Sequence, residues 1–333
     1  MVFFNLVPQM RTFSLDIFFR SIYLFFIFIC GLFFATCSTP SSNNGDKNAE
    51  IDPKKSNRPT FKPYWGVDFF EVRRSFDNGL AFDTIGFEQE PIWHINFIHD
   101  DSVMVFSPDS NAMLHYDIYH DQDSIFFFGR EWFRVKSLDK DSMLLQRLAV
   151  KSKRVKEERS NVYMKLYSKS YILDSLHTTV EELRKPRRVD TLFIQERADR
   201  SNRNPGNIDS SFSARNPVEL TPLYSTISAK RRSFTDDDRL TQSAAYHYLY
   251  PEFDIVIDRA YKDFYYEFSV LVDGSGKMRL GKFVAMDEFK ESRAKVLQGI
   301  IDVYLQNMLQ VKPGTTLGIP LTSLIMLRVR GKK

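Results

Sequence analysis

The sequence predicts an α+β protein in which an antiparallel β meander is followed by a β-β-α-β unit. Between residues 64 and 150, short apolar stretches alternate with short polar turns, as in strands that succeed one another in a meander. Near the C-terminus, a hairpin pattern precedes a segment whose apolar residues recur at steps of three and four, which is the period of a helix. An apolar strand then closes the chain. A separate apolar run lies near the N-terminus, before both units.

Length and composition place the chain among globular proteins with a substantial core. It has 333 residues, of which 30 are Phe and 15 are Tyr. The 46 basic and 42 acidic residues nearly balance, and a formal charge of +4 does not favour nucleic-acid binding. The two cysteines, Cys30 and Cys37, both lie near the N-terminus. Once residues 1–36 are removed, no pair of thiols is left for a disulfide or for a cysteine metal site.

The N-terminal segment has the parts of a secretory signal. Arg11 and Arg20 precede an apolar run over residues 22–37, and small residues stand at its exit. The run has about 16 residues, fewer than the ~20 that a membrane-spanning helix needs. An uncleaved membrane anchor and ordinary secretion are the alternatives to export with processing.

Ala35 and Thr36 stand directly before Cys37, which resembles the cleavage box of bacterial lipoproteins. The resemblance implies that residues 1–36 are a signal peptide and that Cys37 is lipidated and becomes the first residue of the mature protein. A membrane is then a partner through the N-terminal lipid. Some surface-exported lipoproteins of Bacteroidetes carry an acidic cluster after this cysteine, whereas residues 38–40 here are Ser-Thr-Pro. We therefore expect a lipid-anchored, periplasm-facing protein of the cell envelope, at the inner or outer membrane.

Residues 37–60 are polar and are predicted to form a flexible tether. Residues 61–150 follow as the predicted β domain. Its apolar stretches are joined by short acidic or serine-rich turns and lie at 91–98, 103–106, 112–119, 125–128, 132–135 and 143–148. This order describes an antiparallel meander that closes into a barrel or a sandwich. The strand, turn and strand from Trp132 to Leu145 resemble the small lipocalin-like domains of Bacteroidetes lipoproteins, which implies a meander barrel without implying a bound ligand.

Residues 151–240 are predicted to be a connecting segment with short elements. Residues 151–159 are a run of charges, which is typical of a solvated connector; a patch for an anionic partner is the alternative. Further strands fit 162–166 and 171–173, and a short helix fits 180–184. Residues 197–215 are polar and rich in Asn and Ser, which indicates a loop or an interdomain linker.

Residues 241–333 are predicted to form the second domain. Residues 264–272 alternate as a strand, 273–277 supply a glycine-rich turn, and 278–285 return antiparallel. Apolar residues then recur with helical spacing from Asp287 to Gln310, and Pro313-Gly314 ends the helix. The residues predicted to form one apolar face of this helix are Phe289, Val296, Leu297, Ile300, Ile301, Tyr304, Leu305 and Met308. Residues 321–330 form the last strand.

Three markers of this C-terminal unit resemble the C-terminal domain of the TonB family of energy transducers. They are Tyr250-Pro251, the hairpin from Val272 to Lys277, and the segment from Val311 to Pro320 before the last strand. The resemblance implies a β-β-α-β fold and a link to outer-membrane transport.

No arrangement of residues indicates catalysis. The four histidines His94, His99, His115 and His120 fall close together among aspartates, but no pair has a spacing typical of a metal site. The turn from Asp273 to Lys277 lacks the spacing of a phosphate-binding loop and precedes a strand rather than a helix. No nucleophile-elbow pattern is present. We therefore expect neither enzyme activity, nor a cofactor, nor a metal.

The leading functional expectation is a binding or scaffolding module with a protein partner in the envelope. A TonB-like domain can accept an extended partner segment at an open edge of its sheet. The last strand is the expected edge, and its residues Leu324, Met326 and Arg328 are predicted to share one face.

The alternative is a lipocalin-type carrier of a small apolar ligand. It requires a cavity among five aromatic residues of the β domain, Trp93, Phe97, Phe106, Phe126 and Phe128. The sequence leaves open the identity of the partner or ligand and the oligomeric state.

Overall fold

A computed structural model describes residues 58–232 and 245–333. The strands of the first part are β1 (Asp68–Phe76), β2 (His94–His99), β3 (Ser102–Ser107), β4 (Ala112–Asp117), β5 (Tyr119–His120), β6 (Ile125–Phe128), β7 (Glu131–Asp139), β8 (Ser142–Leu148), β9 (Val150–Lys151), β10 (Arg154–Val155) and β11 (Val162–Ser168). Those that follow are β12 (Glu219–Pro222), β13 (Ile227–Arg231), β14 (Glu252–Asp258), β15 (Phe264–Val272), β16 (Met278–Phe283), β17 (Leu309–Lys312), β18 (Thr315–Thr316), β19 (Ile319–Pro320) and β20 (Ser323–Lys332). The α-helices are α1 (Val180–Arg184), α2 (Arg188–Arg203), α3 (Tyr246–Leu249), α4 (Lys290–Ile300) and α5 (Gln306–Met308).

The predicted meander forms a nine-stranded antiparallel sheet with the order β4-β3-β2-β1-β11-β8-β7-β6-β5. The two edge strands, β4 and β5, are consecutive in the chain and are separated only by Ile118, whose N–H donates to the Asp101 carbonyl at 2.8 Å. The ends of the sheet therefore approach one another, and the sheet is nearly closed, like a barrel. The sheet extends beyond residue 150, because β11 inserts between β1 and β8.

Aromatic side chains fill the part of the interior where the carrier hypothesis requires a cavity. The ring of Phe61, just before a 3₁₀ turn at Lys62–Tyr64, stacks on Phe97 with centroids 4.0 Å apart and meets Phe126 at 5.2 Å. Trp93 meets Phe128 at 5.4 Å. Aromatic rings at these separations are in contact. The space between these residues is thus occupied by the protein's own rings.

Phe106 lies outside this group of rings. Along β3, Val103 and Val105 pack in the barrel core, so the alternation of a strand directs Phe106 to the opposite face. There its ring lies 6.2 Å from that of His94, which stacks on Phe70 at 4.1 Å. The placement of Phe106 on the cavity wall was therefore wrong.

The first part of the segment predicted as a loop over 197–215 is helical, over residues 197–203. Helix α2 runs from Arg188 to Arg203, and its buried side chains include only Ile194, Ala198 and Ser201 beyond its first turn. Those positions follow helical spacing, but the stripe is narrow and its residues are small or polar. The apolar periodicity was therefore too weak to predict the helix. The short helix expected at 180–184 is present as α1.

The C-terminal strands form a five-stranded sheet with the order β13-β14-β20-β15-β16. All neighbouring strands are antiparallel except β14 and β20, which pair in parallel. The predicted succession of strand, strand, helix and strand is present as β15, β16, α4 and β20. One face of this sheet packs against α4, forming a core that includes Phe268, Leu297 and Ile301.

The long C-terminal helix is interrupted by a wider turn. Residues Asp287–Phe289 form a 3₁₀ turn before α4, and Ile301–Leu305 form a π-helical turn between α4 and α5. A π turn holds an additional residue and rotates the side chains that follow it. Leu297, Ile300, Ile301 and Leu305 are buried, as predicted. Phe289 and Val296, which were predicted on the same buried face, are exposed.

A third, smaller core is formed by segments that lie far apart in the chain. It consists of seven buried residues from four segments, namely Ala81, Phe82, Ile194, Ala198, Phe212, Ala214 and Leu321. Beside it, Arg215 binds the carboxylates of Glu88, at 3.0 Å, and Glu90, and its guanidinium lies over the ring of Tyr248 at 4.6 Å. These contacts join the β1–β2 connection to the C-terminal part of the chain.

Within residues 58–232 and 245–333, no helix combines the length and the apolar character needed to cross a membrane.

Candidate functional site

The last strand does not form an edge of the C-terminal sheet. Residues Glu252–Asp258 of β14 pair with β20 on one side, and Phe264–Val272 of β15 pair with it on the other. Both rows of backbone groups are therefore used within the sheet, and a partner strand cannot be added there. Strand β14 was not predicted from the sequence, and it pairs in parallel with a strand more than 60 residues later.

Leu324, Met326 and Arg328 do lie on one face of β20, opposite its buried residues. Met326 is 40% exposed. Arg328 lies between two carboxylates, with N–O distances of 3.2 Å to Glu252 and 3.6 Å to Glu267. This face carries a cross-strand ion-pair cluster rather than a free cation. Cys37, the predicted lipid-attachment site, lies outside the described residues.

The actual edges of this sheet are β13 and β16. Strand β12 packs beside β13 and partly covers that edge. Strand β16 ends the sheet on the other side. It joins β15 through the tight turn from Asp273 to Lys277 that the sequence predicted.

The Asp273 carboxylate organises this turn. Its Oδ1 accepts hydrogen bonds from the Ser275 N–H at 2.9 Å, the Ser275 hydroxyl at 2.6 Å and the Lys277 N–H at 3.0 Å. Burial raises the pKa of Asp273, but these donors outweigh it and the pKa is lowered overall. Gly276 has a φ of +85°, in the region that glycine adopts without strain. The turn therefore fixes the start of β16.

The outer side of β16 has one open backbone position, at Leu280. The Asp273 N–H donates to the Lys277 carbonyl across the hairpin, whereas the Met278 N–H donates outward to the side chain of Gln306 at 2.8 Å. Since backbone groups alternate along a strand, those of Leu280 also point away from β15. Among the described strands, none lies beside β16 on this side, and Leu280 is thus the first open position of this edge.

A bulge bends the strand just beyond that position. The Lys282 N–H donates to the Ser269 hydroxyl at 2.5 Å, and that hydroxyl donates to the Lys282 carbonyl at 3.2 Å. A side chain thus replaces the backbone pairing between β15 and β16 here. Gly281 leaves room for it, because a Cβ at that position would lie 2.5 Å from the Ser269 oxygen. Bulges of this kind redirect a strand at the edge of a sheet.

Three exposed apolar residues follow β16 directly, and we call them the edge patch. Val284 is 70% exposed, Met286 is 71% exposed and Phe289 is 54% exposed. The Phe289 N–H donates to the Met286 carbonyl at 2.9 Å, which holds the second and third residues in one turn. The sequence feature that could have indicated the edge patch is the run Phe283-Val-Ala-Met286. Four successive apolar residues cannot all face one core in a strand.

The histidines that lie close in the sequence each contact a different residue in the structure. His94 contacts the Asp68 carboxylate at 3.0 Å, His120 contacts the Asp100 carbonyl at 2.8 Å, and His99 lies against the Trp65 ring. In the part of the chain that the structure describes, no group of three or more His, Cys, Asp or Glu residues could hold a metal ion.

Comparison of the sequence with protein-family models and with curated proteins gives no match in either. The functional interpretation therefore depends on the residues of this chain, and the open edge of β16 with the edge patch is its best-defined candidate binding surface.

Proposed function

We propose that this protein is a non-enzymatic, lipid-anchored binding module of the cell envelope that takes up an extended segment of a partner protein along β16. The observation that carries the proposal is the open backbone edge at Leu280, continued by the exposed residues of the edge patch. An added strand gains affinity from main-chain hydrogen bonds and specificity from contacts with alternate side chains.

The charges of β16 define the chemistry of the partner segment. The strand carries Arg279 and Lys282, and Lys277 precedes it. Of these, Arg279 lies 3.7 Å from the Asp273 carboxylate. A partner strand with alternating apolar and acidic residues complements both the cations and the edge patch.

A second copy of the chain fits this edge poorly. Antiparallel self-pairing along this edge would bring Arg279 and Lys282 of both strands together, and β16 carries no carboxylate to balance them. Like charges across a strand pair are destabilising. We therefore assign the edge to a different, acidic partner segment.

Hydrogen exchange with a defined peptide tests the edge. The probe is a synthetic ten-residue peptide of alternating valine and glutamate, and its counterpart has lysine in place of glutamate. We expect the acidic peptide to slow exchange of the Leu280 amide and its neighbours in the wild-type protein. The proposal fails if neither peptide protects this strand, or if both protect it equally.

Two variants and a control identify the surface. Leu280→Pro removes the outward N–H without breaking a β15–β16 bond, and proline is tolerated at sheet edges. Met286→Asp introduces into the edge patch a charge of the same sign as the glutamates of the acidic peptide. Met286→Asp should abolish protection of the Leu280 amide, and Leu280→Pro, which has no amide at this position, should abolish protection of the neighbouring amides of β16. Leu192→Asp, at a residue of α2 that is 57% exposed, should leave protection unchanged.

Placement at a membrane is tested separately. The proposal predicts a mature chain that begins at Cys37 with an acyl group on its thiol, measured by mass spectrometry. A Cys37→Ser variant should be found unprocessed. Membrane fractionation of an acyl-free mature wild-type chain would contradict lipid anchoring and leave the proposal for β16 intact.

A further inference from the structure

A basic pocket lies in the connection between β8 and β11, far in sequence from the β16 edge. The connection forms the hairpin β9–β10, whose two turn residues, Ser152 and Lys153, have φ values of 52° and 58°. A 3₁₀ turn, Glu157–Arg159, follows it. Together they line an open surface pocket of about 560 Å³, which we call the hairpin pocket. Its lining residues are Lys151, Ser152, Arg154, Lys156, Glu158 and Arg159.

Buried polar contacts fasten the base of the hairpin pocket to the barrel. Ser160 is 2% exposed, and its hydroxyl accepts the Ala149 N–H at 3.0 Å and donates to the Lys156 carbonyl at 2.8 Å. The side chain of Gln146, on β8, donates to the Ser160 carbonyl at 2.5 Å. The Lys156 N–H donates to the Ala149 carbonyl at 2.7 Å. The cations of this connection are therefore presented by a fixed backbone rather than by a loose loop.

The hairpin pocket has an excess of positive charge that its own residues do not neutralise. Its lining holds four cations and one carboxylate, Glu158. Among the described residues, none of the four cationic side chains has an ion pair or a side-chain hydrogen bond. The neighbouring carboxylate of Glu157 is instead bound by Arg134, with an N–O distance of 2.6 Å. The hydrogen bond from Arg134 lowers the pKa of Glu157, so this carboxylate remains charged and engaged on the barrel side.

We propose that the hairpin pocket binds a phosphate-bearing anion. Arg154 and Arg159 supply planar forks of N–H donors, which match the oxygens of a phosphate group, and Lys151 and Lys156 add point charges. A pocket of 560 Å³ falls within the size range of small-molecule sites and is larger than one phosphate needs. Glu158 supplies an acceptor for a hydroxyl group, so a phosphate ester with free hydroxyls suits the lining better than inorganic phosphate alone.

The same chemistry is offered by a soluble phosphate ester and by the headgroup of an anionic phospholipid. The experiment therefore has two arms with the acyl-free mature chain, because an acyl group on Cys37 would by itself carry the protein to any vesicle. The first measures binding of pyrophosphate and glycerol phosphate by isothermal titration calorimetry. The second measures sedimentation with vesicles of neutral phosphatidylcholine, with and without phosphatidylglycerol.

The double variant Arg154→Gln/Arg159→Gln tests the assignment, and Arg188→Gln/Arg200→Gln is its control. The control removes the same charge from exposed positions on α2. We expect the pocket variant to lose at least tenfold in affinity for whichever probe binds, and the control to lose less than twofold. Arg154→Lys/Arg159→Lys should recover only part of the loss, because it restores charge without the forked donors.

Several results would overturn the proposal. These are binding of neither soluble phosphate together with no preference for vesicles that contain phosphatidylglycerol, an equal loss in both double variants, or full recovery with lysine at both positions. Binding in the soluble arm alone identifies a free ester, and binding in the vesicle arm alone identifies a headgroup. Neither result depends on the β16 edge, so Leu280→Pro should leave both arms unchanged.

Discussion

Arg73 and Asp190 are 117 positions apart and form a buried ion pair with two parallel hydrogen bonds. The distances are 2.6 Å from Nη1 to Oδ2 and 3.0 Å from Nη2 to Oδ1. Arg73 follows a bulge in β1, and Asp190 lies in the first turn of α2. The Asp190 carboxylate also accepts the backbone N–H groups of Ala81 and Arg187. One fully buried carboxylate thus connects the barrel wall, the β1–β2 connection and the helix.

Removal of Asp190 should destabilise the protein strongly. Asp190→Ala leaves the Arg73 guanidinium and two backbone donors without their acceptor, and loss of one partner of a buried pair costs about 3–5 kcal/mol. Urea denaturation of the mature protein measures the change in the free energy of unfolding. The control is Asp199→Ala on the exposed side of the same helix, which should change it by less than about 0.5 kcal/mol. Equal losses in the two variants would show that the buried pair is not the cause.

The same carboxylate makes stability depend on pH in the acid range. Burial raises the pKa of Asp190, but the Arg73 pair and the two backbone donors outweigh it and the pKa is lowered overall. A lowered pKa in the folded state contributes stability above the unfolded value, about 3.9, that is lost as the pH falls through the folded value. The stability difference between wild type and Asp190→Asn should therefore shrink from pH 5 to pH 3.

Urea titrations at pH 5, 4 and 3 check this expectation. Asp68, Asp273 and Glu157 also have lowered pKa values, so both proteins should lose stability in acid. The variant should lose less. Parallel curves for the two proteins across this range would contradict the assigned role of Asp190.

Two glycines of the C-terminal unit should respond in opposite directions to alanine. Gly276 has a φ of +85°, and a Cβ there would lie 2.8 Å from the Val311 carbonyl oxygen. Gly276→Ala should lower the free energy of unfolding by about 1–3 kcal/mol. Gly299 lies inside α4 with no atom within 4 Å of an added Cβ. Gly299→Ala should raise the free energy of unfolding by about 0.5–1 kcal/mol, because alanine has the higher helix propensity.

Chemical denaturation of both variants measures this contrast. Stabilisation by Gly276→Ala, or clear destabilisation by Gly299→Ala, would mean that the turn or the helix differs from the described geometry.

The sequence predicted the turns and strands that depend on residues close together in the chain. The turn from Asp273 to Lys277 was recognisable because glycine and aspartate occur where the hairpin needs them. The meander strands were recognisable because short alternating stretches were bounded by polar turns. The lipocalin-like and TonB-like resemblances stay proposals, whereas the barrel-like sheet and the succession β15, β16, α4 and β20 are present.

Long-range pairing was beyond the reach of the sequence. Nothing in residues 252–258 shows that this strand pairs in parallel with β20, and that pairing moves Leu324, Met326 and Arg328 from an edge to the centre of the sheet. Phe289 lies in the 3₁₀ turn Asp287–Phe289, before the α-helix begins, so the regular helical period that was assumed for it does not apply. The candidate edge and the hairpin pocket both depend on such non-local geometry.

The ring cluster inside the barrel gives a direct test of the carrier hypothesis. Phe133 is fully buried and meets Trp93 at 5.3 Å and Phe128 at 5.2 Å. Phe133→Ala should lower the free energy of unfolding by about 3–5 kcal/mol and leave an apolar cavity. Phe127→Ala is the control, since Phe127 stacks on Trp132 at 4.3 Å outside the buried cluster and should cost less.

Benzene distinguishes a filled barrel from a hollow one, because an apolar cavity of sufficient size takes up such a ligand. A ligand that binds only the folded state raises the melting temperature. Saturating benzene should leave the melting temperature of the wild type unchanged and should raise that of Phe133→Ala. If benzene instead stabilised the wild type and Phe133→Ala equally, a pre-existing cavity would be present. That result would support the carrier hypothesis and contradict a filled barrel.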